Sequence, residues 1–163
     1  MDPRLEGLGP VPFLFTPSAA PRMQCAAYSL PFRVLATAVV FGALAWGIAL
    51  WHGGKLGAGS ALATWFLAAL ALMLYTWWCI VRSVTTLDAR ELHQTWIWAK
   101  RTALGELAYA KVIRVRGLEW LVAPRLYVRT LASKSAVFYA SDPAMLAEFE
   151  RLVTELTTFR RGG

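Results

Sequence analysis

The chain has 163 residues, of which 57% are hydrophobic, and its 17 basic against 10 acidic residues give a net charge of +7. This length allows one ordinary domain plus appendages, and the hydrophobic fraction exceeds the value of about 45–50% that is usual for water-soluble domains. An exclusively water-soluble protein is therefore disfavoured. The positive charge favours anionic partners, either nucleic acid or an anionic membrane surface. The apolar segments described below decide for the membrane, and no nucleic-acid partner is expected.

The first part of the chain, residues 1–30, is rich in proline and has no period of 2 or 3.6 residues. This composition predicts a disordered leader. No apolar run follows its first charges at the distance that a signal peptide requires. Met23 stands just before the first apolar segment, so translation starting at Met1 and translation starting at Met23 both remain open.

Two long runs without any charged residue follow the leader, Val34–Trp51 and Leu56–Val81. A helix rises about 1.5 Å per residue, so about 20 residues span a hydrocarbon core of about 30 Å. The runs predict a transmembrane helical hairpin within residues 31–82, with helices at about 33–52 and 60–82. A buried pair of core helices is the alternative reading of the same pattern.

The orientation of this hairpin is predicted from the basic residues beside it. The connecting loop carries only Lys55, whereas the outer flanks carry Arg22, Arg33, Arg82 and Arg90. This asymmetry places both chain termini in the cytoplasm.

Small residues recur at four-residue steps in both predicted helices, for example Ala38 and Gly42 in the first. That spacing permits close helix packing within one hairpin or between two copies, so an oligomer is possible. Neither helix has Asp, Glu, Lys, Arg or His in its interior. Because ion and proton pathways normally need such groups, transport by this chain alone is disfavoured.

The remainder of the chain, residues 83–163, alternates short apolar and polar stretches with turn signals. Six strands are predicted: Val84–Leu87, Glu91–Trp98, Ala103–Leu107, Val112–Trp120, Arg125–Leu131 and Ser135–Ala140. Turns are predicted at Asp88-Ala89 and Lys100-Arg101.

A helix is predicted to close this domain at about residues 142–160. Asp142 is suited to cap the helix and Pro143 to occupy its first position. Apolar residues then recur at helical spacing and form one stripe. The prediction is an α+β domain, in which a bent antiparallel sheet or partial barrel is closed by a C-terminal helix.

The order of these elements resembles the bacterial pleckstrin-homology-like (PH-like) membrane proteins with two N-terminal transmembrane helices. Two apolar helices precede SVTTLDARELHQTWIW, with the opening pattern V-T-x-L-D-x-x-x-L, and a connector LGELAYAKVIRVRG. The resemblance covers roughly residues 32–160. It implies a PH-like domain with a binding or scaffolding role at the bacterial inner membrane. Lys100-Arg101 does not reproduce the K-x(n)-[KR]-x-R signature of eukaryotic phosphoinositide-binding domains.

The residue types that carry catalysis or bind metals are sparse in this chain. The two histidines, His52 and His93, and the two cysteines, Cys25 and Cys79, lie far apart in the sequence. They form no pattern of metal ligands and no pairing of a nucleophile with a base. We therefore expect no metal, no cofactor and no enzymatic activity.

The best candidate site is a set of cationic residues on two predicted strands. Arg114 and Arg116 share one strand face, and Arg125 and Arg129 share another with Tyr127 between them. On neighbouring strands these side chains could form one patch that holds lipid phosphates or a protein partner. The alternative is that they are ordinary solvated arginines.

The sequence therefore favours a membrane-anchored, non-enzymatic binding or scaffold module, whose domain binds a protein segment or anionic lipid headgroups. One alternative is an accessory subunit of an inner-membrane complex such as a transporter, in which the hairpin contacts another membrane protein. A weaker alternative is an enzyme that acts on lipids.

Overall fold

A computed structural model describes residues 12–55, 57 and 60–162 of the chain. In this part of the chain there are seven strands and three α-helices. In chain order they are β1 (Arg22–Ala26), α1 (Leu30–His52), α2 (Ala61–Arg82), β2 (Val84–Asp88), β3 (Glu91–Gln94), β4 (Lys100–Ala103), β5 (Leu107–Ile113), β6 (Arg125–Thr130), β7 (Ser135–Tyr139) and α3 (Pro143–Gly162). A 3₁₀ turn, Leu104–Glu106, joins β4 to β5.

The two N-terminal helices, α1 and α2, form the predicted hairpin, and their ends lie within a few residues of the expected positions. Each begins at a serine cap: the Ser29 hydroxyl accepts from the Phe32 N–H, and the Ser60 hydroxyl accepts from the Ala63 N–H. Both helices are long enough and apolar enough to cross a membrane, with mean hydropathies of 2.1 and 1.7. Only 11% and 6% of their most apolar stretches are buried within the chain, unlike the core helices of a water-soluble protein.

The hairpin is held by aromatic contacts and one polar contact between its helices. The Trp77 indole N–H donates to Thr37 Oγ1 at 2.9 Å, and the Trp77 ring meets Phe41 edge-on at 5.4 Å. Gly47 packs under Phe66, and a Cβ at this glycine would lie 2.4 Å from the Phe66 ring. Gly42, one of the small residues singled out in the sequence, would meet no atom within 4 Å. The close approach of the two helices is therefore at Gly47.

The strands form two antiparallel sheets. Sheet A has the order β1-β2-β3-β4 and sheet B the order β5-β6-β7. Strand β1 pairs with β2 along its whole length, from Arg22 opposite Asp88 to Ala26 opposite Val84. Because α1 and α2 lie between these two strands in the chain, the helical hairpin is an insertion into sheet A.

The hydrophobic core lies between the sheets and α3, which packs mainly against β5. Its largest side chains are Phe13, Phe15, Leu87, Leu92, Leu104, Leu107, Leu126, Phe138, Met145, Phe149, Leu152 and Leu156. The predicted closing helix is confirmed, as are the strands β2, β6 and β7. The strands lie in two sheets, and the α+β fold class is confirmed.

The prediction of a disordered leader over residues 1–30 is wrong for residues 12–30, and residues 1–11 lie outside the described part. Phe13 and Phe15 are buried in the core, and the Ser18 N–H donates to Glu148 of α3 at 3.2 Å. The prolines here suggested an irregular chain, but proline is tolerated immediately before an edge strand such as β1. The domain is therefore not confined to residues 83–163.

Two predicted strands and one predicted turn were also wrong. The predicted strand Glu91–Trp98 ends at Gln94, and the predicted turn at Lys100-Arg101 lies in β4. The predicted strand Ala103–Leu107 is mostly the 3₁₀ turn. Local residue types did not locate these elements, because pairing with other strands decides where a strand begins and ends.

The boundaries of the predicted strand Val112–Trp120 are also wrong. Strand β5 starts at Leu107 and ends at Ile113. The chain then turns away through a loop in which Gly117 has φ +83°, a conformation that favours glycine. The predicted pairing of Arg114 and Arg116 on one strand face therefore does not hold.

Candidate functional site

Strand β6 carries three of the five predicted site residues on its outer face. Leu126 and Val128 are fully buried, so the alternating Arg125, Tyr127 and Arg129 point away from the core. This alternation follows from the two-residue period of a strand. The predicted assignment of these side chains to the two faces of the strand is confirmed.

Neighbouring strand β5 adds one cation and one ring to this face. Lys111 pairs with Tyr127 across the strands, and Tyr109 pairs with Arg129. The Tyr109 and Tyr127 rings meet edge-on with centroids 6.4 Å apart. We call Lys111, Arg125, Tyr127 and Arg129 the basic face of sheet B. Lys111 was missed from the sequence, because the predicted strand in this region began one residue after it.

The other two predicted site residues are not brought together with this face by the strands. Arg114 follows the end of β5 and forms an ion pair with Glu150 of α3 at the solvent-exposed surface. Such exposed pairs contribute only about 0–1 kcal/mol. Arg116 is exposed in the β5–β6 loop. The predicted patch of five residues is therefore divided between a strand face, a helix contact and a loop.

A groove of about 610 Å³ opens between strand β4 of sheet A and strand β7 of sheet B. Each of these strands is the last in its sheet, so each has one edge without a neighbouring strand. The groove is lined by Ala99–Ala103, Glu106, Thr130 and Lys134–Val137. It is therefore walled by two strand edges rather than by side chains alone.

The direction of the backbone groups on β7 follows from its hydrogen bonds. The Tyr139 N–H donates to Gln94 Oε1 at 3.2 Å, and the Tyr139 carbonyl accepts from Thr85 Oγ1 at 2.6 Å. Both backbone groups of Tyr139 thus point away from β6. In an antiparallel ladder every second residue has the same orientation, so Val137 and Ser135 also point their N–H and C=O groups away from β6. The backbone N–H and C=O groups of Ser135 and Val137 therefore point towards the groove.

The same reasoning applies to β4. The Leu104 N–H donates to the Arg90 carbonyl at 2.9 Å, which continues the ladder between β3 and β4. Alternation then directs the backbone groups of Thr102 towards β3 and those of Arg101 and Ala103 towards the groove. Among the described residues, no hydrogen bond outside the strand ladders uses the backbone groups of Arg101 or Ala103.

The groove is positively charged. Lys100, Arg101 and Lys134 line it together with one acidic residue, Glu106. The Lys100 ammonium also lies 5.4 Å from the centroid of the Trp96 ring, a favourable cation–π distance. The sequence could not indicate this groove, because it depends on which strands lie at the two sheet edges.

Two titratable groups are perturbed at the junction of β1 with α1. Burial raises the pKa of Tyr28 to about 12, and its ring stacks on Phe32 at 5.4 Å and on Tyr139 at 5.5 Å. Burial also raises the pKa of the Cys25 thiol. Both shifts favour the neutral form, which is the form suited to packing and not to nucleophilic chemistry.

Within residues 12–55, 57 and 60–162, no three or more His, Cys, Asp or Glu side chains lie together as a metal site would require. Cys25 and Cys79 are both free thiols. Comparison of the chain with protein-family models, curated proteins and solved structures finds no match.

Proposed function

We propose that this protein is a non-enzymatic binding module anchored in a bacterial inner membrane by the α1–α2 hairpin. Its PH-like domain lies in the cytoplasm, as do both termini. The groove between β4 and β7 binds an extended, acidic segment of another protein. The single observation that carries this proposal is the pair of unpaired strand edges that face each other across the groove.

The membrane anchor is supported by the dimensions and charges of the hairpin. Helices of 23 and 22 residues extend about 33–35 Å, and a hydrocarbon core is about 30 Å thick. Basic residues flank the domain side of the hairpin, whereas Lys55 stands alone in the opposite loop. Positive residues accumulate on the cytoplasmic side of bacterial membrane proteins, so the domain is placed there.

The PH-like assignment is supported by the two antiparallel sheets and the helix that packs on sheet B. This chain departs from the expected arrangement in one respect, because β1 precedes the helices and the other strands follow them. Both ends of the hairpin therefore enter the domain through adjacent strands of sheet A. Such a double connection fixes the domain at the membrane more firmly than a single linker would.

Binding of an extended segment is supported by the chemistry of the groove. Exposed strand edges present rows of N–H and C=O groups that another strand can pair with, and several peptide-binding domains use this mode of recognition. The free groups of Arg101 and Ala103 lie on one wall, and those of Ser135 and Val137 lie on the other. The excess of basic side chains favours acidic residues in the bound segment.

The test uses the full-length protein in nanodiscs and an eight-residue peptide of alternating Val and Glu. We expect binding to this peptide, and loss of binding when alternate backbone nitrogens of the peptide are methylated, since methylation removes donors of the strand ladder. A peptide of alternating Val and Lys should bind more weakly. Equal binding of the methylated and unmethylated peptides would contradict strand addition.

Matched double variants locate the binding site. Arg101→Glu with Lys134→Glu reverses two charges in the groove, and Arg125→Glu with Arg129→Glu reverses two charges on the basic face. The groove variant should weaken peptide binding about tenfold, which corresponds to about 1.4 kcal/mol. If the basic-face variant has the larger effect, the basic face is the binding site, and anionic ligands such as lipid headgroups become the better assignment.

A further inference from the structure

Two loops of the domain expose large apolar side chains. The β3–β4 loop, residues 95–99, contains Trp96 and Trp98, and the Trp98 side chain is 76% exposed. The β5–β6 loop, residues 114–124, contains Leu118 and Trp120, and Trp120 is 65% exposed. Single exposed apolar residues are common on protein surfaces, but here three tryptophans lie in two loops that both meet the hairpin.

The β3–β4 loop lies alongside the end of α2. The Ser83 hydroxyl donates to the Thr95 carbonyl, and the Val84 N–H donates to Thr95 Oγ1 at 2.9 Å. A cleft of about 270 Å³ lies between residues 95–97 and the helix, and reaches back along α2 to Tyr75. Seven residues of helix measure about 10 Å, so the loop flanks the last two turns of α2.

The β5–β6 loop meets the beginning of α1. The Ser29 hydroxyl, which caps this helix, donates to the Leu121 carbonyl. Next to it, Tyr28 stacks between Phe32 of α1 and Tyr139 of β7. Both loops therefore lie at the end of the domain from which the two helices leave.

We propose that these two loops form a lipid-docking surface, made of Trp96, Trp98, Leu118 and Trp120, that enters the headgroup layer around the hairpin. This inference rests on the proposed membrane anchor and adds a second contact between the domain and the bilayer. Tryptophan favours the interface because its ring is mostly apolar while its N–H remains hydrogen-bonded.

Two basic side chains beside the loops, Arg82 and Lys100, are also suited to bind lipid. The Arg82 guanidinium lies 4.3 Å from the centroid of the Trp78 ring, and Lys100 lies against Trp96. Long basic side chains reach lipid phosphates while their stems cover apolar rings, and basic residues next to a membrane are attracted to its anionic lipids. We assign the occupant as lipid because the surface is continuous with the lipid-facing ends of α1 and α2.

The test measures depth in the bilayer with spin labels on the full-length protein. The protein carries Cys25→Ala and Cys79→Ala and is reconstituted in nanodiscs of phosphatidylcholine and phosphatidylglycerol. Single cysteines are introduced by Trp98→Cys or Trp120→Cys, both at exposed positions. Two further sites serve as references: Ala45→Cys in the middle of α1, and Ala132→Cys in the β6–β7 turn, at the far end of β7 from Tyr139.

We expect the labels at 98 and 120 to lose most of the accessibility to a water-soluble nickel complex that the label at 132 shows, and to gain accessibility to oxygen. The label at 45 should report the hydrocarbon core. Labels at 98 and 120 that behave like the label at 132, with the label at 45 in hydrocarbon, would overturn the docking surface and leave the anchor intact. A water-exposed label at 45 would overturn the proposed anchor and this inference together.

Discussion

Ala26, the last residue of β1, pairs with Val84, the first residue of β2. The whole helical hairpin lies between these two residues in the chain. The Ala27 N–H donates to the Ser83 carbonyl at 3.0 Å, so the two connections to the hairpin run side by side. The domain is thus one folded unit made from two separate pieces of the chain.

The first prediction concerns the segment before β1. Replacing Phe15, which is 2% exposed, by Ala removes a ring from the core, and such changes cost about 3–5 kcal/mol. Leu14→Ala is the matched control, because the neighbouring Leu14 side chain is 82% exposed, and it should change stability by less than about 0.5 kcal/mol. Denaturant unfolding of the detergent-solubilised protein measures both. Equal effects of the two substitutions would mean that this segment does not pack in the core.

The second prediction concerns the two-piece domain. A fragment of residues 83–162 lacks β1, Phe13 and Phe15, and we expect it to be unfolded or much less stable. Joining residues 12–28 to it through a short Gly-Ser linker should restore cooperative unfolding, because the ends to be joined are already adjacent. Thermal melting followed by near-ultraviolet circular dichroism compares the two. A fragment of residues 83–162 that melts like the linked protein would show that β1 is dispensable.

The third prediction concerns one of the polar contacts between the two sheets, the hydrogen bond from Thr85 to Tyr139. Thr85→Val removes, at nearly constant volume, the hydroxyl of a fully buried side chain that donates to the Tyr139 carbonyl, and leaving such an acceptor unpaired costs about 1–3 kcal/mol. The matched control is Thr86→Val on the same strand, whose hydroxyl makes no hydrogen bond among the described residues, and it should be nearly neutral. The free energies of unfolding of the two variants should therefore differ. Equal free energies of unfolding for the two variants would show that the hydrogen bond does not contribute to stability.

The fourth prediction concerns alkaline pH. The pKa of Tyr28 is raised to about 12 in the folded protein, against about 10 for an unperturbed tyrosine. The folded state therefore holds this proton more tightly than the unfolded state does. The contribution of Tyr28 to the free energy of unfolding is complete below pH about 10 and is lost as the pH rises towards 12. Tyr28→Phe keeps the stacked ring without the titrating group.

The melting temperature of the Tyr28→Phe variant should consequently fall less between pH 10 and 12 than that of the unaltered protein. The raised pKa of Cys25 acts in the same direction in both proteins and cancels in the comparison. Parallel melting curves over this range would contradict the assignment.

Elements with a strong local pattern could be predicted from the sequence. The charge-free runs predicted α1 and α2, because about 20 consecutive apolar residues are typical of a helix that spans a membrane. The alternation of Leu126 and Val128 with Arg125, Tyr127 and Arg129 correctly gave the two faces of β6. The helical spacing of Phe149, Leu152 and Leu156 likewise predicted α3.

Features that depend on distant pairing could not be predicted. Strand β1 has a partner on the far side of the hairpin, and the alternation of polar and apolar residues in its sequence RMQCA is too short to identify a strand without that partner. The groove exists because β4 and β7 are edge strands, which is a property of the assembled sheets. Trp96 and Trp98 have strong β propensity, yet they lie in a loop beside α2 because β3 ends at Gln94.

The most direct test of the account is the accessibility of the two sides of the hairpin in intact bacterial cells. In a background with Cys25→Ala and Cys79→Ala, single cysteines are introduced by Lys55→Cys in the α1–α2 loop and Ser133→Cys in the β6–β7 turn. The account predicts that a membrane-impermeant maleimide that reaches the periplasm labels position 55 in intact cells and labels position 133 only after the inner membrane is opened. Labelling of both positions in intact cells, or of neither until the membrane is opened, would contradict a hairpin that crosses the membrane and holds the domain in the cytoplasm.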